Sequence, residues 1–344
     1  MNNLFRKLSQ STRGIRTIFY GFGATSAYLS FLYLSDDGVK STNYPDDVES
    51  TILKQLPFCG LSKAFSFIAH WQPPRTVKEK LIKGFIWLNE VDLTDCDEDI
   101  IEKSSSLADF FTRPLRLGAR SIDQNSSLIS PCDSVVLVRG KINDKNPHIP
   151  QVKGSTFSVE EFFGPLGYKV NVKRNELNKG QKTNIYYCVL YLSPKDYHRF
   201  HVPTDWKISY RRYFPGKLMP VRPTWTHKLP GLFAMNERVC YIGQWGPKDT
   251  NWLMAYAPVA AFLVGGININ QDPEFSRKTI KELAQKSEES YFEKPLEVKK
   301  GEEFGRFNFG STIVLMFEAP KNLEWNVNNN ETVRMGQSLI KNKF

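Results

Sequence analysis

Phe309-Gly310-Ser311-Thr312-Ile313-Val314-Leu315-Met316-Phe317 is the stretch on which the fold turns. The β-branched and apolar run after Thr312 predicts a buried strand. Gly310 tolerates backbone angles closed to other residues, so it is able to present its carbonyl carbon to the Ser311 hydroxyl in a strained turn. Two readings stand at this point. One is a plain Gly-Ser turn feeding a strand; the other is a backbone bond that the serine itself breaks, with the strand holding the new N-terminus.

Upstream the same β texture recurs. Val135-Val136-Leu137-Val138, Ile185 to Leu192, Val239-Cys240-Tyr241-Ile242 and Val259 to Val264 are short apolar runs separated by Gly and Pro turns. No glycine-rich loop leads from a strand into a helix, which argues against a nucleotide-binding fold. Val298-Lys299-Lys300-Gly301 is echoed by Val333-Arg334-Met335-Gly336, as expected of two strand-turn-strand units in a swapped sandwich or barrel. The Lys-, Glu- and Ser-rich segment from about Ser276 to Lys294 predicts an exposed helix. Residues 36 to about 125 read as mainly helical and are broken by Pro57, Pro73 and Pro74. The expected class is α+β, an antiparallel sandwich- or barrel-like β core with N-terminal membrane-associating helices.

With 344 residues and 41% hydrophobic content, the chain has enough apolar material for one large core or two smaller ones. The formal net charge of +10 favours an acidic partner. Basic residues are scattered among acidic ones and no nucleic-acid signature is present, so an anionic membrane surface fits better than nucleic acid. The cysteines, Cys59, Cys96, Cys132, Cys188 and Cys240, lie far apart and support neither a metal site nor a disulfide framework. Asp92, Asp95, Asp97, Glu98 and Asp99 lack the glycine and ligand spacing of a calcium loop and read as a solvated helix start.

The N-terminus has the composition of a mitochondrial transit peptide, with Arg6, Lys7, Arg13 and Arg16 ahead of the first acid, Asp36. Thr17 to Leu34 is free of charge. At about 1.5 Å per helical residue it reaches about 27 Å, marginally enough to cross the hydrocarbon core. The positive flank then stays in the matrix and the rest of the chain lies across the inner membrane. Phe58, Leu61, Phe65, Phe67, Ile68 and Trp71 form an aromatic stretch suited either to a lipid surface or to the protein's own core.

Two further segments carry side chains capable of chemistry. In Ser193-Pro194-Lys195-Asp196-Tyr197-His198-Arg199-Phe200-His201, the serine and proline read as a helix start, which places His198 and His201 on one face of a short helical turn. No third histidine or glutamate stands at a zinc spacing, so no metal is expected, and a structural pair or proton transfer remains. Asp133, in Ser130-Pro131-Cys132-Asp133-Ser134, reads as a turn residue or as the orienting member of a triad. Cys132 beside it is either a nucleophile or a small buried apolar residue.

Together these segments resemble the mitochondrial and bacterial phosphatidylserine decarboxylases, pyruvoyl-dependent enzymes made as proenzymes. The resemblance runs from about residue 45 to the end. It rests on Phe111-Thr112-Arg113-Pro114-Leu115-Arg116, Ser130 to Asp133, Tyr191 to His201, Leu232-Phe233-Ala234-Met235-Asn236-Glu237-Arg238 and Gly305 to Thr312. Phe309 stands where the family often has leucine, and Ser134 where it often has glycine. The resemblance implies that Ser311 attacks the Gly310 carbonyl and that the resulting ester eliminates to leave a covalent pyruvoyl group on Ser311. It assigns His201 as base, Asp133 as the residue holding its imidazole, and His198 to the substrate carboxylate and the carbanion. The ketone then forms a Schiff base with phosphatidylserine and yields phosphatidylethanolamine, with no metal or soluble cofactor.

The implied organisation is a targeting segment at 1–16, a transmembrane helix at 17–34, a helical membrane-proximal region at 36–125, a β-rich core at 126–310 and a pyruvoyl-bearing chain at 311–344. The partners are phosphatidylserine in the bilayer, the membrane itself and the second chain made by cleavage, and a homo-oligomer is compatible with this. The implied location is the inner membrane with the core facing the intermembrane space. Two rivals keep the chain intact: a serine hydrolase built on Ser311, His201 and Asp133, which lacks a Gly-x-Ser-x-Gly elbow, and a non-catalytic lipid-binding β module.

Overall fold

The computed structural model describes residues 65–150, 156–165, 182–222, 231–247, 250–261, 266–276, 287–308, 311–341 and 343–344. All of them fall in one unit, 55–344. The transit and transmembrane segments, Phe58 and Leu61 of the aromatic stretch, and Phe309 and Gly310 lie outside the described residues. Among the described residues no helix is long and apolar enough to cross a membrane.

The class is α+β with an antiparallel β core. Eight strands form the main sheet in the order β10-β6-β7-β8-β12-β4-β1-β13. They are β1 (Ser134–Lys141), β4 (Thr183–Leu192), β6 (Trp206–Phe214), β7 (Arg238–Trp245), β8 (Trp252–Ala260), β10 (Glu288–Val298), β12 (Ser311–Pro320) and β13 (Thr332–Val333). A three-stranded sheet carries β11 (Glu303–Phe307) between β5 (Arg199–His201) and β9 (Ile267–Ile269), and β2 (His148–Pro150) pairs with β3 (Thr156–Ser158). The helices are α1 (Arg75–Asn89), α2 (Ile100–Lys103), α3 (Leu107–Phe111), α4 (Val159–Phe163), α5 (Leu232–Met235) and α6 (Pro273–Ser276).

The predicted strand after Gly310 is β12, and it is central. It pairs with β4 from Ser311↔Leu192 to Pro320↔Thr183, and with β8 from Ser311↔Ala260 to Phe317↔Met254. Every residue from Ser311 to Ala319 is buried. Burying Ile313, Val314, Leu315, Met316 and Phe317 contributes on the order of 10 kcal/mol gross, before conformational entropy. A chain beginning at Ser311 is therefore held by two ladders and by the core.

The V-x-x-G echo is a structural repeat. Gly301 and Gly336 both have positive φ, at 86° and 88°, and both back onto Ile122. In each turn the residue after the glycine reaches back with its side chain, Glu302 to the Lys299 N–H and Gln337 to the Arg334 N–H. The repeat extends to the segments these turns contact. Lys300 N–H donates to Asp205 and Met335 N–H to Asp133, each at 2.8 Å. Val298 pairs with Trp206 as Val333 pairs with Ser134. The halves interlock reciprocally: Ile129 N–H donates to the Pro203 carbonyl and His201 N–H to the Pro131 carbonyl. The palindromic strand order follows, with β8 and β12 flanking the pseudo-two-fold.

Two expectations are corrected. Glu288 to Lys294 is strand, not helix, because β10 finds its backbone partners on β6. Its charges suit an exposed edge. His198 and His201 do not share a helical face. A single turn closes between Ser193 and Asp196, through Asp196 N–H to the Ser193 carbonyl and Ser193 N–H to Asp196 Oδ2. The ladder to β11 then captures Arg199 to His201 as a strand.

Candidate active site

The start of β12, the end of β4, the 193–198 turn, β5 and the Pro131 to Asp133 loop meet through backbone hydrogen bonds. Ser311 lies opposite Leu192, the last residue before that turn. Phe307 N–H on β11 donates to the His198 carbonyl, and His201 N–H to Pro131. On the other flank Asn236 fixes Ala260, the β8 partner of Ser311, by donating to its carbonyl at 3.0 Å. The same amide exchanges hydrogen bonds with the backbone of Met219.

Ser311 is fully buried and its hydroxyl has no hydrogen-bond partner among the described residues. An unmet buried hydroxyl costs roughly 1–3 kcal/mol, so its retention calls for a reason outside stability. The Thr312 hydroxyl beside it is also unmet.

His201 Nδ1 faces the Gly301 carbonyl at 2.9 Å, and a carbonyl only accepts, so the proton is on Nδ1. Nε2 is then a lone pair, and it accepts from the Tyr197 hydroxyl at 3.0 Å. Burial lowers the His201 pKa, partly offset by the Gly301 hydrogen bond, and keeps the ring neutral. A neutral imidazole with Nε2 unprotonated is the form a general base requires.

The structure does not place Asp133 on the His201 ring. Asp133 Oδ1 accepts from Met335 N–H and Arg120 Nε, and Oδ2 accepts from Arg120 Nη2 at 2.5 Å. Arg120, nearly buried, also binds Asp95. The two carboxylates raise its pKa further, Asp133 most strongly. Asp133 thus anchors the turn beside the site, and its charge acts on the ring only through space.

His198 is fully buried, with the Phe111 ring 4.0 Å away centre to centre. Its Nδ1 donates to the Asp196 carbonyl at 2.8 Å, which leaves Nε2 as a bare, unpartnered lone pair. Burial, with the nearby Arg113 charge, pushes its pKa down to about 3. Desolvation also raises the Asp196 carboxyl to about 6. Cys132 is buried with its thiol pushed well up, which fits a packing residue rather than a nucleophile. Of the acidic cluster, Asp95 serves Arg120, while Asp97 and Asp99 engage Lys103 beside α2.

Three contributors were not singled out from the sequence. Tyr197 and Arg113 lie inside segments quoted above, but nothing in their spacing marks their partners. The Gly301 carbonyl was signalled only by the V-x-x-G echo.

Known proteins share this arrangement of segments. The family described as phosphatidylserine decarboxylase matches residues 107–341. The chain is 34% identical over 308 residues to the mitochondrial phosphatidylserine decarboxylase proenzyme of Cricetulus griseus, covering 85% of this chain and 73% of that one. With the mitochondrial proenzyme of Caenorhabditis elegans the identity is 32% over 317 residues, covering 92% and 80%. With the mitochondrial proenzyme 1 of Saccharomyces cerevisiae it is 29% over 364 residues, covering 83% and 72%.

Proposed function

The chain belongs to the phosphatidylserine decarboxylase family and is a carboxy-lyase; from that membership we propose that it matures by breaking its own backbone between Gly310 and Ser311 and then converts phosphatidylserine to phosphatidylethanolamine with a pyruvoyl group derived from Ser311. The observation that carries the reading is the Ser311 hydroxyl, buried and unpartnered at the first position of the central strand. Such a group is costly in a finished fold and useful in a precursor.

In this reading Ser311 Oγ adds to the Gly310 carbonyl carbon and the C–N bond breaks, giving an ester. His201 takes the hydroxyl proton on Nε2, where the Tyr197 hydroxyl now donates. Elimination across Cα–Cβ then releases Gly310 as a carboxylate and leaves a dehydroalanine, whose imine tautomer takes up water and loses the residue-311 nitrogen as ammonia to give the ketone. The residues fit the product, because a keto-acyl group at position 311 begins a strand already held on both sides and needs no hydrogen-bond donor there. When formed, the ketone condenses with the serine amine and accepts the electron pair left by departing CO₂. His198 is placed to serve the reacting carbon. Its neutral ring does not pair with the carboxylate, and arrival of an anionic substrate raises its proton affinity so that it enters the step as an acid.

Membrane access is supported by exposed apolar side chains in the region that precedes the β core. Phe67, Trp71, Trp87, Leu88 and Leu117 stand in solvent, Trp87 at 82%. Trp87 and Leu88 share α1 with Lys78, Lys80 and Lys83. That combination suits an interface with anionic lipid, and with the transit-like N-terminus and relatives named mitochondrial we place the enzyme on a mitochondrial membrane. The organisation follows: targeting at 1–16, a spanning helix at 17–34, and chains ending and beginning at Gly310 and Ser311.

Denaturing electrophoresis and intact mass test the proposal. Wild type yields a small C-terminal fragment, residues 311–344, with a blocked N-terminus, and Ser311→Ala yields none. A single full-length band from active wild-type protein overturns it and favours an unprocessed hydrolase.

A further inference from the structure

Arg113 is 2% exposed, yet its Nε and Nη1 have no hydrogen-bond partner. Nη2 donates to the Lys195 carbonyl at 3.0 Å, and the guanidinium lies over the Phe110 ring at 5.2 Å. Among the described residues no carboxylate is within ion-pair distance of it, and Asp196 acts on it only through space. Buried arginines are ordinarily matched by an anion, because a desolvated charge with unmet donors is among the most expensive features a fold carries. The position is specific. Lys195 belongs to the turn that delivers His198, Phe111 packs on the His198 ring, and the carbonyl of Thr112 accepts from Arg199 on β5.

We propose that Arg113 is the binding residue for the phosphodiester of the substrate, its free Nε and Nη1 gripping the phosphate oxygens while His198 faces the reacting carbon. This rests on the decarboxylase reading above. A serine phospholipid offers two anions, and the chemistry chooses between them. The carboxylate must lose its charge as CO₂ departs, so an arginine fork on it stabilises the ground state more than the transition state and slows the reaction. The phosphodiester keeps its charge from substrate to product. A guanidinium there holds the headgroup at no cost to the chemical step, and its planar fork matches phosphate oxygens. The carboxylate is then left to the apolar side of the site, against Phe111 and the neutral His198 ring, where desolvation favours departure of CO₂.

The test uses full-length enzyme as wild type, Arg113→Gln and Arg113→Lys, with cleavage scored first. Self-cleavage needs no phosphate, so all three should mature. In mixed micelles, Arg113→Gln should raise KM for phosphatidylserine at least tenfold with a smaller change in kcat, and Arg113→Lys should fall between. Inhibition by short-chain phosphatidylethanolamine, which has the phosphodiester but no carboxylate, should weaken by the same factor. Turnover of a phosphate-free O-alkylserine amphiphile should match that of wild type.

Loss of O-alkylserine turnover in parallel with phosphatidylserine, or unchanged inhibition by phosphatidylethanolamine, overturns the assignment in favour of the carboxylate. If neither variant accumulates as cleaved enzyme, Arg113 is a structural cation and the proposal falls. Failure of wild type to cleave or to decarboxylate overturns the function itself, an outcome distinct from any confined to Arg113.

Discussion

The interlocked halves of this molecule carry one backbone design twice, and only one copy carries the side chains proposed for chemistry. At one crossing the His201 strand meets the Pro131 to Asp133 loop, through His201 N–H on the Pro131 carbonyl; at the other the Ile129 segment meets the Pro203 to Asp205 loop, through Ile129 N–H on the Pro203 carbonyl. The turns that follow them, Met335-Gly336 and Lys300-Gly301, make the same bonds with the same geometry. Following the pairing across the sheet, Val135–Tyr191–Thr312 corresponds to Lys207–Gln244–Leu253, so Ser311 is matched by Trp252. The comparison separates what the scaffold needs, namely the Pro-x-Asp loop and the positive-φ glycine, from what the proposed reaction needs, which is an imidazole and a hydroxyl.

The strongest way to break that separation is to exchange the demands on the matched pair. His201→Ala should slow self-cleavage at least about 100-fold, the usual scale for a general base, while the protein stays folded. Ile129→Ala should do the reverse, cleaving at the wild-type rate but losing about 2–5 kcal/mol of stability for a fully buried side chain. Timed electrophoresis and thermal melts read the two effects. Cleavage lost in both variants would mean that the crossings are not separable.

The matched aspartates make a second contrast. Asp133 and Arg120 are largely buried, and Asp133→Asn should cost about 3 kcal/mol by stripping a buried guanidinium of one of its two carboxylates. Asp205 and Lys299 are more than half exposed, and Asp205→Asn should cost less than about 1 kcal/mol. Denaturant unfolding of the two variants in a Ser311→Ala background, where the chain stays single, measures both.

Much of this was legible in the residues themselves. The apolar run after Ser311 reads as a buried strand, and the echo at Val298 and Val333 marks the repeat because each glycine must adopt positive φ. The Asp133 partnership was not legible. Its partner Arg120 is an ordinary basic residue in a loop, and nothing local distinguishes an aspartate that orients a histidine from one that anchors a turn. The 288–294 strand was hidden for a related reason: its charges match a solvated helix, and only the distant edge of β6 decides otherwise. Arg113 was visible as part of a matched segment, but its unmet donors exist only in three dimensions.

A pH dependence tests the burial of the other histidine of the equipped half. His198 has its pKa pushed from an ordinary 6.5 down to about 3, so below pH 6.5 the unfolded chain binds a proton that the folded chain refuses. Stability is then full above pH 6.5 and falls as pH drops towards the folded value, by about 1.4 kcal/mol per pH unit for this group. His198→Gln in the Ser311→Ala background should remove that contribution, so its stability should decline less than that of its parent between pH 6.5 and 4.5. Equal slopes would mean that the ring is solvated in solution.

The smallest expected effect lies inside the His201 crossing, between Tyr197, which follows the turn, and His201 on β5. The Tyr197 hydroxyl donates to His201 Nε2 at 3.0 Å and so favours the neutral ring. Tyr197→Phe removes that bond, worth about 1 kcal/mol, and should raise the His201 pKa towards its ordinary value by roughly half a unit to one unit. Self-cleavage followed against pH should show its acid limb displaced upward by that amount, with the rate at high pH preserved or increased because the lone pair is no longer engaged. A rate lowered equally at every pH would instead make Tyr197 the carrier of the serine proton to His201. The His201 imidazole would then act through the tyrosine rather than on Ser311 directly.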